Sequence, residues 1–292
     1  MNNHKTHKHC LLCNGSELAH IKGYSAIFLV RCQTCGFLFS ENIPDEQFLS
    51  NHYKGYNRNQ YISPITIKRY NQLLDGFEKF RSTNKIIDVG CGSGFFLEVA
   101  KKRGWSGFGT EFTDEAIEVC SKKGIVMKQG KLRYADFEAG SFDVATSFEV
   151  MEHINYPKEE VQAIHSLLRH GGIAYVTTPN FNSLSRLFLR SKWTVLEFPE
   201  HLCYYTPSTL KLLFDSCGFQ DAKIVTTGIS ITRAAKSFKN TKEAVAPDAT
   251  TDEKLRQSFE SNTFMYGLKQ AVNQLLTLSG TGDSIKATFR KS

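Results

Sequence analysis

The sequence predicts an α/β protein in which a small metal-binding ribbon precedes a doubly wound, mostly parallel sheet. Short apolar strands alternate with helical stretches over residues 85–230, and this alternation specifies a parallel sheet with helices on both faces. Two pairs of cysteines precede the alternation, Cys10 with Cys13 and Cys32 with Cys35, and they predict the ribbon.

The composition limits the kind of protein this can be. A chain of 292 residues is long enough for one large domain and a small appendage, and 41% hydrophobic with 22% charged residues is typical of a packed globular protein. No apolar run reaches the ~18–20 residues that a membrane span needs, so we expect a cytoplasmic protein. The net charge of +7 suits an anionic partner, but the basic residues are dispersed, which favours a solvated face over a nucleic-acid surface.

The cysteine pairs have the spacing of a four-thiolate zinc site. Each pair has the form Cys-x2-Cys, 18 residues separate the pairs, and Gly36 follows the second pair where a tight turn is needed. Residues 26–31 between them read as a strand. No secretory segment is evident, so we expect a reducing compartment, which favours structural Zn²⁺ over two disulfides. We assign the ribbon to residues 1–45, and metal binding supplies much of the folding free energy of so small a unit.

A glycine-rich turn marks the start of the larger domain. Residues 46–84 read as a linker and an N-terminal helix, and a strand at 85–89 is then followed by Gly90-x-Gly92-x-Gly94 and a helix. This is the opening of a nucleotide-binding βαβ unit. The dinucleotide fingerprint and the phosphate-binding loop are both absent, which disfavours NAD and ATP.

An acidic residue ends the second strand of this unit. Glu111 follows Gly90 by 21 residues and closes the strand at residues 107–111. A carboxylate at this place can accept hydrogen bonds from both hydroxyls of a ribose. The next residue, Phe112, is available to pack on an adenine ring.

These residues, with Asp88, the fourth strand at 141–147 and the run from Glu149 to His153, resemble the class I S-adenosylmethionine-dependent methyltransferases. The similarity covers roughly residues 80–230. It implies a methyltransferase domain over residues 85–292, with a Rossmann-like seven-stranded sheet whose last strand, 284–290, is antiparallel, and a helical insertion at 233–282. The implied cofactor-binding residues are Asp88, Gly90, Cys91, Gly92, Gly94, Glu111, Phe112, Lys131, Leu132, Ser147 and Phe148. Lys131 departs from the family, which often has an acid there.

The predicted catalytic residues come from two segments. Glu149, Glu152 and His153 would share one face if a helix began after the fourth strand, and the long segment 180–207, which we expect to cover the acceptor, carries His201. The set is similar to the divalent-metal site of plant small-RNA 2′-O-methyltransferases, and its first part to ubiquinone-pathway O-methyltransferases. That resemblance implies Mg²⁺ or Mn²⁺ ligands. A metal-free histidine base and a structural role stay open.

The substrate class rests on a further resemblance. The ribbon, with Thr178–Asn180, Glu200–Leu202 and Tyr205–Pro207, looks like bacterial enzymes of sugar-nucleotide, polysaccharide or natural-product pathways. It implies methyl transfer to an oxygen or carbon of a small molecule, such as a nucleotide sugar or a glycan. An RNA 2′-O-methyltransferase and a non-catalytic binding protein of the same fold are the alternatives, and the absence of an arginine-rich stripe disfavours a nucleic-acid partner.

Overall fold

The computed structural model describes residues 5–44, 61–229 and 263–292. Most of the predicted linker lies outside these residues, as does the predicted insertion from residue 233 to residue 262. None of the helices in the described ranges is both long and apolar enough to cross a bilayer.

The described strands and helices follow the predicted alternation. The strands are β1 (Lys5–Thr6), β2 (Leu18–His20), β3 (Leu29–Cys32), β4 (Leu38–Ser40), β5 (Asn42–Ile43), β6 (Lys85–Val89), β7 (Ser106–Glu111), β8 (Val126–Gln129), β9 (Phe142–Phe148), β10 (Leu168–Pro179), β11 (Cys203–Tyr204), β12 (Phe219–Thr227) and β13 (Ser284–Lys291). The helices are α1 (Pro64–Phe77), α2 (Phe95–Lys102), α3 (Asp114–Lys122), α4 (Pro157–Leu167), α5 (Leu184–Leu189), α6 (Pro207–Ser216) and α7 (Thr263–Ser279).

Seven strands form the main sheet in the order β12-β13-β10-β9-β6-β7-β8. The pairings among β10, β9, β6, β7 and β8 are parallel, and β13 is antiparallel to both of its neighbours. This confirms the predicted doubly wound, mostly parallel sheet and its antiparallel last strand.

Adjacent residues of the central strands pack into different cores, because side chains alternate between the faces of a sheet. On one face Ile86 and Val144 join the core that contains α1 and α2 residues. On the other face Ile87 and Ala145 join the core that contains α4 and α6 residues. Helices on both faces therefore bury apolar residues of the same strands.

The four-stranded sheet of the N-terminal ribbon is not formed by the ribbon alone, because a later segment of the chain contributes a strand to it. Its strands β2, β3 and β4 form a sheet with β11, which comes from the segment at residues 180–207. The strand predicted at residues 26–31 begins only at Leu29, because Ser25–Ile27 forms a 3-10 turn that Phe28 closes with a left-handed φ of 52°.

The segment 180–207 has structure of its own and packs on the ribbon. It contains α5 and β11, and its apolar side chains share one buried cluster with those of the ribbon. The members of that cluster are Ile27, Leu29, Leu38, Phe181, Leu189, Trp193, Val195 and Tyr204. Its predicted role as a cover for the acceptor stays a prediction.

The buried carboxylate of Asp143 ties the loop after α1 to the sheet. Its Oδ2 accepts hydrogen bonds from the backbone N–H groups of Ser82, Thr83 and Asn84 at 2.9, 2.8 and 2.9 Å. Its Oδ1 accepts a hydrogen bond from Arg169 Nε at 2.6 Å. A single fully buried group thereby satisfies three backbone donors and one cation.

We expect Asp143→Ala to lower the free energy of unfolding by about 3–5 kcal/mol, because it leaves the guanidinium and three backbone donors without their partner. Urea denaturation measures this change. Glu138→Ala, which removes an exposed ion pair with Lys85, serves as the control and should leave stability nearly unchanged. Equal effects of the two substitutions would contradict the assignment.

Candidate active site

The glycine-rich turn lies at the carboxyl end of β6, between the ends of β7 and β9. Gly90, Gly92 and Gly94 have φ angles of 69°, 56° and 71°, in the left-handed region that favours glycine. A Cβ at Gly90 would lie 2.7 Å from Val150 Cγ2. The turn therefore packs tightly against the residues that follow β9.

Glu111 faces this turn, as the sequence predicted. Its buried carboxylate accepts hydrogen bonds from Gly92 N at 2.9 Å and from Phe112 N at 2.7 Å. A carboxylate offers about four acceptor positions, so ribose hydroxyls can bond to the same group. The Phe112 side chain is exposed, at 60%, which leaves its ring accessible to an adenine.

Asp88 is buried beneath the turn. Thr146 Oγ1 donates a hydrogen bond to its Oδ1 at 2.7 Å. Burial raises the pKa of Asp88 to about 8, against the lowering effect of that bond. Burial penalises the charged form of the carboxyl, and the hydrogen bond from Thr146 partly offsets this penalty.

Three buried polar atoms near the candidate site have no hydrogen-bond partner among the described residues. Ser147 Oγ, Thr113 Oγ1 and Asn155 Oδ1 have no hydrogen-bond partner within the described part of the chain. Each such atom costs about 1–3 kcal/mol unless a ligand or water satisfies it. Thr113 follows β7 and Ser147 lies at the end of β9, positions that suit a polar ligand with hydroxyl and amino groups, such as S-adenosylmethionine.

Two of the predicted cofactor-binding residues direct their side chains into the core. Cys91 Sγ lies 3.9 Å from both Cys120 Sγ and Met127 Sδ, and the Cys120 hydrogen bond followed by burial raises the pKa of the Cys91 thiol. Phe148 packs with aromatic rings that include Phe96. Neither side chain is therefore directed into the space between the glycine turn and Glu111, which we term the cofactor cradle.

A buried carboxyl that the sequence did not reveal lies beside the predicted cofactor-binding residues Lys131 and Leu132. Lys131 is exposed, with Nζ 3.8 Å from a Glu159 carboxylate oxygen, while Leu132 is buried. Burial raises the pKa of Glu160 to about 7, against the lowering effects of Lys131 and of a hydrogen bond with the Leu132 backbone. Glu160 therefore ties α4 to the backbone at Leu132. Its place on an ordinary helix gave no sequence signal.

Three of the four predicted catalytic residues, Glu152, His153 and His201, lie close together. Their ligand atoms all lie within 4.8 Å of one another. His153 Nε2 is 3.9 Å from Glu152 Oε1, and the two imidazole rings meet edge to face with centroids 4.7 Å apart. Thr178 Oγ1 donates to Glu152 Oε2 at 2.9 Å and so fixes the orientation of the carboxylate.

Each of the two imidazole rings makes a hydrogen bond to a backbone carbonyl through Nδ1, and Nε2 lies on the opposite side of the ring. His153 Nδ1 donates to Glu200 O and His201 Nδ1 donates to Val195 O, each at 2.6 Å, because a carbonyl oxygen only accepts. Burial, with the adjacent His201, lowers the pKa of His153 to about 4. At neutral pH the His153 Nε2 therefore carries a lone pair that can take a proton or bind a metal ion.

Glu149 does not join this group, contrary to the prediction. The expected helix does not begin after β9: Glu149 has a left-handed φ of 54°, and only Met151–His153 forms a 3-10 turn. The charge of Glu149 acts on Tyr175 of β10 and on Lys286 of β13. The backbone reversal thus separates Glu149 from Glu152.

The four ribbon cysteines also converge. The Sγ atoms of Cys10 and Cys35 are 3.5 Å apart, as are those of Cys13 and Cys32, and all four lie within 4.8 Å of one another. Tetrahedral zinc with Zn–S bonds of ~2.3 Å needs sulfur atoms about 3.8 Å apart. The cluster therefore fits a Zn²⁺ ion.

Comparison with known proteins agrees with this geometry. A family model described as a methyltransferase domain matches residues 57–224, and the chain belongs to that family. The fold and the family together make it a class I S-adenosylmethionine-dependent methyltransferase, as the sequence resemblance implied.

Its curated relatives include ubiquinone biosynthesis O-methyltransferases. The protein of Nitrosomonas europaea is 26% identical over 178 residues, which are 56% of this chain and 74% of that protein. The protein of Pseudomonas aeruginosa is 30% identical over 111 residues, 36% of this chain and 48% of that protein. The chain thus spans about three quarters of one relative and about half of the other.

Solved structures share the fold. A SAM-dependent methyltransferase from Archaeoglobus fulgidus has a TM-score of 0.53 at 19% identity, covering 85% of this chain and all of that one. Phosphoethanolamine N-methyltransferase 2 of Haemonchus contortus, solved with S-adenosyl-L-methionine, has a TM-score of 0.53 at 16% identity over 87% of this chain and 62% of that one. At these identities the likeness supports the fold alone.

We expect Glu111→Ala to weaken S-adenosylhomocysteine binding by at least about 100-fold, because two ribose hydrogen bonds to a carboxylate contribute about 1.5–3 kcal/mol each. Calorimetric titration measures the affinity. Glu115→Ala, an exposed acid on α3, should bind as tightly as the unaltered protein. Retained affinity in Glu111→Ala would contradict the assignment of Glu111.

We expect Glu160→Gln to raise the free energy of unfolding at pH 8, with a gain that shrinks toward pH 4.5. The pKa of Glu160 rises from 4.5 to about 7 on folding, so the folded protein binds more protons in that interval and stability falls as pH rises through it. Glutamine removes this penalty and still accepts the Leu132 hydrogen bond. Urea denaturation at both pH values tests it, and the exposed neighbour substitution Glu159→Gln should show no such pH dependence.

Proposed function

We propose that the chain transfers the methyl group of S-adenosylmethionine to a hydroxyl oxygen of a small molecule. The observation that carries this proposal is the group of Glu152, His153 and His201, termed the acceptor triad, beside the glycine turn. A hydroxyl acceptor needs help to lose its proton, and the triad supplies a neutral imidazole and a carboxylate for that purpose.

The position of the acceptor triad supports this role. Val150 packs against Gly90 of the turn and lies two residues before Glu152 in the chain. The cradle that suits the cofactor and the triad therefore adjoin at the carboxyl end of the sheet, where ligands of open α/β sheets bind. The methyl donor and the group that accepts the proton would be neighbours.

The reaction is an in-line displacement at carbon. The acceptor oxygen forms a bond to the methyl carbon while the bond from that carbon to the sulfonium sulfur breaks, and S-adenosylhomocysteine leaves as a neutral thioether. The hydroxyl proton goes to His153 Nε2. The hydrogen bond from Nδ1 of the same ring to Glu200 O holds the ring in place. Most of the catalytic effect comes from alignment of the two substrates.

A divalent cation bound at the acceptor triad would also help the hydroxyl to lose its proton. Two imidazole nitrogens and one carboxylate are a donor set that suits Mn²⁺ better than Mg²⁺, which prefers oxygen ligands. A bound cation lowers the pKa of a coordinated hydroxyl. Both His rings already have the backbone hydrogen bonds from Nδ1 that metal-ligating histidines use.

The names of the curated relatives favour a small-molecule hydroxyl as the acceptor. The predicted nucleotide-sugar or glycan acceptor is an alternative within the same chemistry. A panel of catechols, phenols and nucleotide sugars, with S-adenosylhomocysteine formation as the signal, discriminates between them. Turnover of none of these, with turnover of RNA, would overturn the proposed acceptor class.

We expect purified protein to contain about one equivalent of zinc and, after incubation with Mn²⁺ and gel filtration, a second ion. Glu152→Gln should lose the second ion and keep the zinc, because its amide still accepts from Thr178 but binds cations weakly. Glu149→Gln is the matched control and should keep both ions. Inductively coupled plasma analysis reports the contents; no second ion, with turnover insensitive to Mn²⁺ and Mg²⁺, would leave His153 as a metal-free base.

A further inference from the structure

The ribbon and the acceptor triad are joined through one strand pair. β11 pairs antiparallel with β4, with Cys203 opposite Phe39 and Tyr204 opposite Leu38. β11 begins two residues after His201, so the ribbon sheet ends directly beside a member of the triad. No direct contact of a cysteine with the triad is needed for the ribbon to act on it.

A backbone route connects the ribbon to Glu152. Ser40 N donates to Leu202 O at 2.8 Å, and Leu202 N donates to Glu152 O at 2.7 Å. Leu202 is buried, so both hydrogen bonds are shielded from water and fix its peptide groups on both sides. His201 lies immediately before this bridging residue.

An aromatic route runs parallel to the backbone route. Phe37 lies 5.3 Å from Tyr205, centroid to centroid, and stacks on Phe39 at 5.7 Å. Tyr205 Oη in turn donates to Met151 O at 3.4 Å. All three aromatic residues are fully buried, so a shift of the ribbon strand displaces the residue that precedes Glu152.

The position of β4 depends on the second cysteine pair. Cys32 ends β3, Cys35 precedes β4 by three residues, and Cys32 N donates to Phe37 O at 2.9 Å across the turn. A ribbon of this size relies on its metal for folding free energy. We therefore expect an ion bound by the four cysteines to hold this turn and, with it, β4.

The hydrogen bonds of the cofactor cradle do not involve the ribbon, although Val89 packs in the same buried core as Phe37 and Phe39. These hydrogen bonds link Gly92 to Glu111, Gly90 to Thr110 and Asp88 to Thr146. All of these residues belong to β6, β7, β9 and the turn after β6, within the main sheet. The hydrogen bonds that hold the cradle and those that link the ribbon to the acceptor triad are thus separate sets.

We propose that the zinc ribbon is a positioning element of the acceptor site: β4 fixes Leu202, and through it Glu152 and His201, so that loss of the ribbon metal disorganises the triad and leaves cofactor binding intact. This inference rests on the proposed function only in taking the triad as the acceptor site. In this proposal the ribbon acts on the triad through Leu202.

Hydrogen exchange on the full chain tests the coupling. Removal of zinc with a chelator should speed amide exchange in residues 150–154 and 200–206 by about tenfold or more, because their protection depends on local opening. Exchange in residues 86–94 and affinity for S-adenosylhomocysteine by calorimetry should stay within about threefold. Unchanged exchange at 200–206 overturns the proposal, and so does equal loss of cofactor binding.

A proline substitution tests the same coupling with zinc in place. Ser40 pairs with Leu29 of β3, and Glu41 N bonds to Phe28 O, so the Ser40 N–H points to β11 and not to β3. Ser40→Pro therefore removes the donor to Leu202 O and leaves the β3–β4 ladder in place. We expect full zinc content, faster exchange at residues 200–206 and unchanged S-adenosylhomocysteine affinity.

His20→Pro is the matched control. Gln33 N bonds to Glu17 O and Ile21 N to Leu29 O, which puts the N–H of His20 on the outer side of β2. This variant should keep slow exchange at residues 200–206, and Ser40→Pro behaving like it overturns the proposal. If exchange changes in Ser40→Pro while kcat on an identified acceptor does not, the coupling stands and the catalytic role of the triad fails.

Discussion

The parallel pairing of β6 with β7 and β9 is the constraint on which the cofactor cradle depends. Val89 pairs with both Thr110 and Ser147, so the three strands end at one level of the sheet. The turn that begins at Gly90 then meets Glu111 on one side and the residues after Ser147 on the other. A shift of either pairing by one residue would send these side chains to the opposite face and separate them.

The parts of the fold that local sequence patterns specify were predictable. Apolar strands, the glycine turn and the spaced cysteines each carry a short-range signal, and the structure has the seven-stranded sheet and the converging cysteines. The facing of Glu111 and Gly92 was also predictable, because the carboxyl ends of neighbouring parallel strands meet at one edge. For these features the sequence pattern and the tertiary structure agree.

The features that the sequence missed depend on contacts between distant residues. Glu149 takes a left-handed conformation while its N–H bonds to Thr177, and a glutamate shows no local preference for that geometry. β11 has only two residues and exists because β4 lies beside it. Neither feature is marked by a periodic pattern of residues in the sequence. The spacing of Glu149, Glu152 and His153 therefore suggested a helical face that the chain does not form.

The place of β13 in the sheet imposes an order on folding. It is the last of the described strands along the chain, yet it lies between β10 and β12. During synthesis the ribosome therefore releases the ribbon, β6 to β10 and β12 before the strand that fills the gap between β10 and β12 exists. The nascent chain must keep the open edges of β10 and β12 from pairing with other strands, as exposed edges readily do. The cofactor cradle, built from β6, β7 and β9, can assemble before that gap is closed.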